Sequence, residues 1–385
     1  MNSRETLYLV PALEARECSE AFELTRKFVD GVDEYVKRWN GRVVVLVSRA
    51  QSPSSNLDTI LVKPGDVSFG LQWREENDAK LSERIADARL VLATLVHCNT
   101  GLSQLCRQLN VPVVYITEYS VQTRCQIVRA ETTNPLLRWR RQSWTKRLER
   151  RYEQAVRCAD GVQCNGTPTF RAYQSISRCP LLYFDSRVRH DMLVCSKQMQ
   201  ERTSQFQSGG PLRLVFSGRL IAMKGADHLP LVAGELDRLG VPFTLDICGT
   251  GDQADRIAAK IRSLNLADRV RLRGVLDFES QLLPHISHNA DLFVCCHRQG
   301  DPSCTYLETM ACGVPIIGYD NEALRGIVQT SGVGWATPLD QPKQLAQRIA
   351  QLNQDRRSLI QAADAALAFA SRQRQPTFSD DRVIA

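Results

Sequence analysis

The sequence predicts an α/β protein made of two domains, each built on a parallel sheet with flanking helices. Short apolar runs typical of buried strands alternate with longer helical stretches in both halves of the chain. The length of 385 residues exceeds what a single hydrophobic core usually supports. A polar, glycine-containing segment, residues 203–211, separates the two series and is interpreted as a linker.

The strand candidates of the first half are Leu7–Val10, Val43–Val47, Leu90–Ala93, Val113–Ile116 and Gly161–Gln163, with Ser19–Trp39 as the clearest helical stretch. Those of the second half are Leu212–Ser217, Thr244–Cys248, Val270–Leu272, Leu292–Cys296 and Val314–Gly318. We therefore predict two Rossmann-like domains, residues 1–205 and 206–385, that face each other across a cleft.

Composition favours an ordinary intracellular globular protein. A hydrophobic fraction of 43% with 24% charged residues argues against disorder. The thirteen cysteines form no zinc-type CxxC pair, and Cys248, Cys295 and Cys296 fall within or beside apolar strand candidates, which indicates buried thiols. The first twenty residues contain too many acids and too short an apolar run for a secretory signal. We expect a cytoplasmic protein.

The segment LRLVFSGRLIAMKG, from Leu212 to Gly225, combines a strand with two cations. The strand candidate ends in Ser217 and Gly218, and Arg219 and Lys224 follow. An arginine fork and a lysine point charge are suited to a diphosphate, and together they can neutralise a departing nucleotide without a metal ion. A second segment, FTLDICGTG, is another strand candidate. It ends in the Gly249–Gly251 turn, where backbone can approach a ligand closely.

The segment GDPSCTYLETMACGVPIIG joins a loop, a short helix, a turn and a strand. Glu308 is predicted at the start of a helix that runs to about Cys312, as an acceptor for sugar hydroxyls. The backbone amides of the residues that open this helix form an anion site at its N-terminus; they are Ser303, Cys304, Thr305 and Tyr306. The alternative is a surface loop with a solvated first-turn glutamate.

In this order and spacing, the three segments resemble the C-terminal half of the retaining GT-B glycosyltransferases of family four, also called glycosyl transferases group 1. The resemblance extends from about Leu212 to Ser371. It implies a GT-B fold in which Arg219 and Lys224 hold the diphosphate of a nucleotide-sugar donor and Glu308 binds donor hydroxyls. The amides near Ser303 to Tyr306 then contact the phosphate or sugar, and Val275 lies beside the base. Gly218, Gly249 and Gly251 complete the implied donor site.

Two features depart from the family pattern. The family pairs two glutamates eight positions apart, but Gly300 occupies the first position here and Asp301 is the substitute candidate. The glycine-rich loop expected after the first strand is also absent, because Pro11 to Arg16 contains no glycine.

The first domain offers two acceptor-side candidates. By resemblance, His97 lies where the family places a histidine that approaches the acceptor or the transferred sugar. Glu118 stands where many relatives carry another histidine, which predicts a different acceptor contact. The alternatives are a polar loop histidine and a surface carboxylate without such roles.

The run from Leu136 to Arg157 is a basic amphipathic helix, with Leu137, Trp144, Leu148, Tyr152 and Ala155 at helical spacing among arginines and lysines. One interpretation is peripheral contact with the anionic inner face of a membrane. The other is that the apolar stripe packs on the first domain. A net charge of +7 also allows nucleic-acid binding, but no nucleic-acid motif accompanies it, so we predict none.

We expect neither a cofactor nor a metal ion, since the chain has no Asp-x-Asp pair and no spaced set of histidine ligands. The predicted function is metal-independent, retaining transfer of a sugar from a nucleotide donor to a hydroxyl of a glycan, a lipid-linked intermediate or a small molecule. The alternatives are a non-catalytic GT-B module that binds a nucleotide sugar or a partner subunit, and a nucleotide-sugar epimerase. Gly300 motivates the first alternative, and an epimerase would need a cluster of acid and base residues.

Overall fold

A computed structural model describes residues 5–18, 20–50, 52, 59–75 and 77–373. It contains a ten-stranded sheet in the first half and a six-stranded sheet in the second, and helices pack against both. The two-sheet α/β architecture is therefore as predicted. Among the described helices, none combines the length and apolar composition that crossing a bilayer requires.

The first domain contains β1 (Thr6–Val10), β2 (Glu14–Cys18), β3 (Ala21–Thr25), α1 (Arg26–Arg38), β4 (Val43–Arg49), β5 (Thr59–Val62), β6 (Gly70–Trp73), α2 (Asp78–Ile85), β7 (Ala88–Thr94), α3 (Leu102–Gln108), β8 (Val113–Thr117), α4 (Val121–Glu131), α5 (Pro135–Cys158), β9 (Gly161–Asn165), α6 (Thr167–Tyr173) and β10 (Pro180–Tyr183). All five predicted strands are present.

The parallel part of this sheet runs β6-β4-β1-β7-β8-β9-β10. Side chains alternate along β1, so Leu7 and Leu9 enter one core cluster while Tyr8 and Val10 enter the cluster on the opposite face. Strands β1 and β7 are neighbours. After β1 the chain goes on to β4 on one side of this pair, and after β7 it goes on to β8 on the other side. This is a topological switch point, where open α/β sheets leave a crevice for ligands.

The predicted helix Ser19–Trp39 is wrong in its first part. Residues 21–25 form β3, which pairs with β2 and β5 in antiparallel fashion, and Phe22 faces Val62 across the latter pair. This distant pairing buries Phe22 and Leu24, so tertiary contact overrides the local pattern. The helix α1 begins only after Thr25, whose hydroxyl caps it by accepting from the amide of Phe28 at 3.3 Å. Ser19 lies outside the described residues.

The second domain contains α7 (Ser196–Ser208), β11 (Leu212–Ser217), α8 (Leu229–Arg238), β12 (Phe243–Cys248), α9 (Ala254–Ser263), β13 (Val270–Gly274), α10 (Leu283–Asn289), β14 (Leu292–Cys295), α11 (Cys304–Ala311), β15 (Ile316–Tyr319), α12 (Glu322–Ser331), β16 (Trp335–Thr337), α13 (Pro342–Gln354) and α14 (Arg356–Gln373). Its sheet is wholly parallel in the order β13-β12-β11-β14-β15-β16. The switch point here lies between β11 and β14.

The linker prediction is wrong for residues 203–208, which complete helix α7. This helix packs on the second core through Met199 and Phe206, so the predicted boundary at residue 205 falls inside a helix of that core. Arg202 is buried beside them and donates to three carbonyls, those of Ser287, Ala290 and Cys312. These carbonyls lie at the C-terminal ends of α10 and α11, where helices leave acceptors unpaired. Burial lowers the pKa of Arg202 to about 10.

A buried imidazole follows β14. The ring centre of His297 lies 5.7 Å from that of Tyr306 and 6.2 Å from that of Phe216, and its Nδ1 is 3.3 Å from the Tyr306 hydroxyl. Burial, assisted by the positive charge of Lys224, lowers the pKa of His297 to about 3. The imidazole is therefore neutral at physiological pH.

We expect Arg202→Met to destabilise the protein by about 2–4 kcal/mol, because three buried helix-end carbonyls lose a charged donor. Urea denaturation measures the change. The matched control is Arg256→Met, on the exposed side of α9, which should alter stability by less than about 0.5 kcal/mol. Equal effects of the two substitutions would contradict the role given to Arg202.

We also expect His297 to make the protein less stable as pH falls from about 6.5 toward 3. In that window the unfolded chain binds a proton on this imidazole that the folded protein does not. The loss is at most about 1.4 kcal/mol per pH unit. Urea unfolding at several pH values should show a shallower dependence for His297→Phe, and identical slopes would disprove the buried neutral imidazole.

Candidate active site

The loops after β11 and β12 meet at glycines. A Cβ atom on Gly249 would lie 2.0 Å from the carbonyl oxygen of Gly218, and one on Gly251 would lie 2.5 Å from that of Leu220. Gly249 also has a φ of 136°, which side chains rarely adopt. These glycines let the two loops contact each other. From the sequence alone, the Gly249–Gly251 turn was explained only by the close approach of a ligand.

The two predicted cations differ in environment. Arg219 is exposed, and its side chain has no hydrogen bond or ion pair among the described residues. Lys224 is buried, and its Nζ lies 2.6 Å from Oδ2 of Asp301. Because β11 and β14 are neighbours, the segments that follow them bring Lys224 and Asp301 together at the switch point.

The carboxylate of Asp301 has one oxygen paired with Lys224 and one that, among the described residues, is free to accept a further hydrogen bond. Burial acts to raise the pKa of its carboxyl group, but the ammonium of Lys224 outweighs burial and the pKa is lowered. Its second oxygen, Oδ1, is buried without a hydrogen-bond partner in the described structure, as are Nε2 of His297 and Oε1 of Gln299. Unpaired polar atoms buried together favour a polar ligand or water at this place.

The N-terminus of α11 follows directly. Ser303 is the N-cap residue, and its amide donates to the Asp301 carbonyl at 2.9 Å. The amide of Tyr306 donates to the Ser303 carbonyl at 3.1 Å, so two of the four amides predicted for an anion site are already paired. The amides of Cys304 and Thr305 begin the helix with no acceptor among the described residues. The Tyr306 ring is wholly buried in the second core.

Glu308 lies in the fifth position of α11, so the prediction that it begins the helix is wrong. It is also buried, which rules out a solvated first-turn glutamate. Its Oε1 accepts from Nε of Arg187 at 2.9 Å, and the guanidinium carbon of Arg187 lies 3.8 Å from the ring centre of Phe278. Val275 follows β13 and is exposed, and the short π-helical segment Phe278–Leu282 comes shortly after it.

Gly300 has no room for a side chain. An added Cβ would lie 2.9 Å from Cβ of Glu322 and 3.2 Å from Oγ1 of Thr123. The glutamate that the family pattern has at this position therefore cannot be accommodated in this arrangement, and the next residue along the chain, Asp301, is an acid.

Glu118 follows β8 and faces the second domain. Its side chain is exposed. Partial desolvation and the charge of Asp185 raise the pKa of its carboxyl group, Lys27 acts in the opposite direction, and Asp301 of the second domain adds to the rise. Next to it, Tyr119 lies in the electrostatic field of Glu118, Asp301 and Arg219, and burial raises its pKa to about 12. The structure thus brings Glu118 together with the predicted donor residues.

His97 lies in a 3₁₀ turn after β7, at the switch point of the first sheet. It is exposed, and its ring centre is 5.8 Å from that of Trp144 on α5. No contact joins it to Arg219, Lys224 or Glu308 among the described residues.

Lys27 connects the two domains. It lies in the first turn of α1 and pairs with Asp185, which follows β10, and its Nζ lies 3.0 Å from Sγ of Cys304 in the second domain. Burial raises the pKa of the Cys304 thiol to about 12, so this side chain is neutral and Asp185 supplies the charge that Lys27 faces. No three histidine, cysteine, aspartate or glutamate side chains converge like metal ligands in the described ranges.

The sequence interpretation missed Lys27, Tyr119, Asp185 and Arg187. Two signals were present. The apolar run from Leu181 to Phe184 ends in Asp185 as other strands end in site residues, and a lysine in the first turn of a helix opposes the helix dipole and needs an acidic partner. Tyr119 carries no local signal.

Comparison with known proteins matches residues 198–367 to the family described as glycosyl transferases group 1. The Escherichia coli protein WcaL, assigned to colanic acid biosynthesis as a glycosyltransferase, is 27% identical over 150 residues, which cover 37% of this chain and 36% of that protein. The alpha-D-kanosaminyltransferase of Streptomyces kanamyceticus is 24% identical over 142 residues, again 37% and 36%. The matched region thus spans little more than a third of either relative.

Among solved structures, Anabaena HepE in complex with UDP has a TM-score of 0.65 at 15% identity and covers 96% of both chains. The sucrose-phosphate synthase of Thermosynechococcus elongatus has a TM-score of 0.63 at 17% identity and covers 97% of this chain and 95% of its own. These likenesses establish the fold over both domains. The protein has the GT-B fold, and residues 198–367 of its second half match the family of group 1 glycosyltransferases.

Proposed function

We propose that this protein is a retaining glycosyltransferase that moves a sugar from a nucleotide-sugar donor to a hydroxyl group, without a metal ion. The observation that carries the proposal is the pair of cations at the switch point of the second sheet. Exposed Arg219 follows β11, and buried Lys224 pairs with Asp301, which comes two residues before Ser303, the N-cap of α11. This is a site for two phosphates of one ligand.

In the proposed reaction, the acceptor hydroxyl attacks the anomeric carbon on the face from which the diphosphate departs. The bond between that carbon and the phosphate oxygen breaks, the new glycosidic bond forms, and a donor phosphate oxygen takes the hydroxyl proton. Arg219 and Lys224 stabilise the negative charge that grows on the departing diphosphate. Glu308 binds donor hydroxyls, and Asp301 supplies the acid that Gly300 lacks.

We propose a uridine nucleotide sugar as the first donor to test, because the HepE structures contain UDP and UDP-glucose. Glu118 and His97 are proposed for the acceptor side. The acceptor is a glycan, lipid-linked or small-molecule hydroxyl, in line with relatives named as a colanic acid biosynthesis glycosyltransferase and as a 2-deoxystreptamine N-acetyl-D-glucosaminyltransferase.

The second candidate function is a GT-B module that binds a nucleotide sugar without transferring it. Gly300 favours it, since a glutamate at that position would collide with Glu322 and Thr123. Binding without any transfer or donor hydrolysis would select this alternative.

We further propose that the protein acts at the anionic inner face of a membrane through the N-terminal half of α5. Leu136, Trp139 and Trp144 are 75%, 67% and 55% exposed, and Arg140 and Arg147 stand exposed among them. The C-terminal half differs, since Leu148, Tyr152 and Ala155 join the first-domain core. The predicted apolar stripe is thus divided between core and surface, and the surface half combines aromatic and cationic groups as interfacial helices do.

We predict that Arg219→Ala and Lys224→Ala each lower turnover by about 10²–10³-fold, because each cation acts on transition-state charge. The measurement is isotope transfer or donor hydrolysis with UDP-, GDP-, ADP- and CMP-sugars, with and without EDTA. Thermal-shift assays measure binding of the same donors.

The Lys224→Ala variant leaves Asp301 buried and unpaired, so the Lys224→Ala, Asp301→Asn double variant separates charge loss from misfolding. Controls are Arg271→Ala and Lys260→Ala, both exposed in the same domain. Full activity of the Arg219 and Lys224 variants, or failure of every donor to bind, would refute the proposal.

For the membrane proposal, vesicle co-sedimentation should show binding to phosphatidylglycerol vesicles that weakens with salt, and little binding to phosphatidylcholine. Replacing Leu136 and Trp139 together by serine should weaken partitioning about tenfold, because both side chains lose apolar contact with lipid. Leu181→Ser, which removes an exposed leucine elsewhere in the first domain, is the matched control. Equal binding of all three proteins would contradict the proposal.

A further inference from the structure

The first domain contacts the backbone of the loop between β14 and α11, residues 296–303, which we call the donor loop. The contact is at Gly300, the position where the family pattern has its first glutamate. The Gly300 amide donates to Oε1 of Gln126 at 3.1 Å, and the Gly300 carbonyl accepts from the Thr123 hydroxyl at 3.1 Å. Gln126 and Thr123 both belong to α4, and Gly300 belongs to the second domain. Both polar groups of one peptide residue are thus paired across the cleft.

The N-terminus of α4 is anchored at the same place. Ser120, its N-cap residue, donates to Oε2 of Glu322 at 2.7 Å, and the Thr123 hydroxyl is 3.3 Å from the same oxygen. Ser120 and Thr123 are buried, so water competes poorly for these hydrogen bonds. Glu322 opens α12, which joins the second domain to the contact.

This contact and the absent side chain at residue 300 depend on each other. Any Cβ there would press on Glu322 and Thr123, so the helix can approach only a glycine. The residue after Gly300 is Asp301, which pairs with Lys224 at 2.6 Å. The position of Gly300 therefore sets where the Asp301 carboxylate lies relative to the phosphate-binding cation.

From these contacts we infer that α4 is part of the donor-sugar site, with Thr123 and Gln126 as positioning residues that fix Asp301 when the two domains are closed. The inference rests on the proposed transferase function and extends it. The nucleoside diphosphate portion of the donor is bound by the second domain alone, whereas the sugar portion needs α4. Where relatives place a glutamate side chain, this chain uses a helix of the opposite domain.

The test compares Thr123→Val and Gln126→Met, which remove the hydroxyl donor and the amide acceptor at nearly constant volume. Each should lower kcat for sugar transfer or donor hydrolysis by about three- to tenfold, and the double variant by more, because each loses one hydrogen bond that positions the donor loop. The Kd of UDP, measured by calorimetry, should stay within about twofold of wild type, since the second domain keeps its phosphate contacts.

Thr123→Ser keeps the hydroxyl and should restore kcat, and Gln122→Ala, an exposed glutamine on the same helix, is the matched control. Gly300→Glu should lower kcat instead of supplying the missing acid. If wild type binds UDP and transfers sugar but the variants equal it, or if UDP affinity falls in parallel with kcat, the inference is overturned while the proposed function stands. If wild type binds no nucleoside diphosphate, both are overturned.

Discussion

The buried ion pair between Lys224 and Asp301 fixes the arrangement of charge in the candidate active site. Two neighbouring strands, β11 and β14, end at the same edge of the sheet, and their following segments bring opposite charges to 2.6 Å. Either charge alone would be costly to bury, so each requires the other in the absence of a ligand. A diphosphate that enters this site offers Lys224 a stronger partner and leaves Asp301 facing whatever the diphosphate carries.

The charges around this pair are divided between the domains in a way that suits a donor and an acceptor. The second domain contributes Arg219, Lys224 and the amides of α11, all of which favour an anion. The first domain contributes Glu118 and the Asp185–Lys27 pair, which favour hydroxyl groups over a second phosphate. The thiol of Cys304 and the imidazole of His297 are neutral near neutral pH, so neither adds a charge to the proposed phosphate site.

Local patterns in the sequence predicted five of the six strands described in the second domain, because most of them are short apolar runs followed by glycine or a polar residue. Arg219, Lys224, Asp301 and the amides of α11 could be found for the same reason. The short strand β16, Trp335–Thr337, was not predicted. Contacts between segments that are distant in the sequence could not be predicted from local patterns. The pairing of β3 with β5 gave strand where the local pattern favoured helix, and the packing of α7 on the second core gave helix where the composition favoured a linker. Arg187 beside Glu308, and α4 against Gly300, join residues more than a hundred positions apart.

A crystal structure of the protein with bound UDP, grown in the presence of EDTA, would show whether the two cations bind the diphosphate. Phosphate oxygens should lie within hydrogen-bonding distance of Arg219, Lys224 and the first amides of α11. Glu308 should contact a ribose or sugar hydroxyl. A nucleotide bound elsewhere, or one that leaves the Lys224–Asp301 pair undisturbed and distant, would contradict the proposed phosphate site.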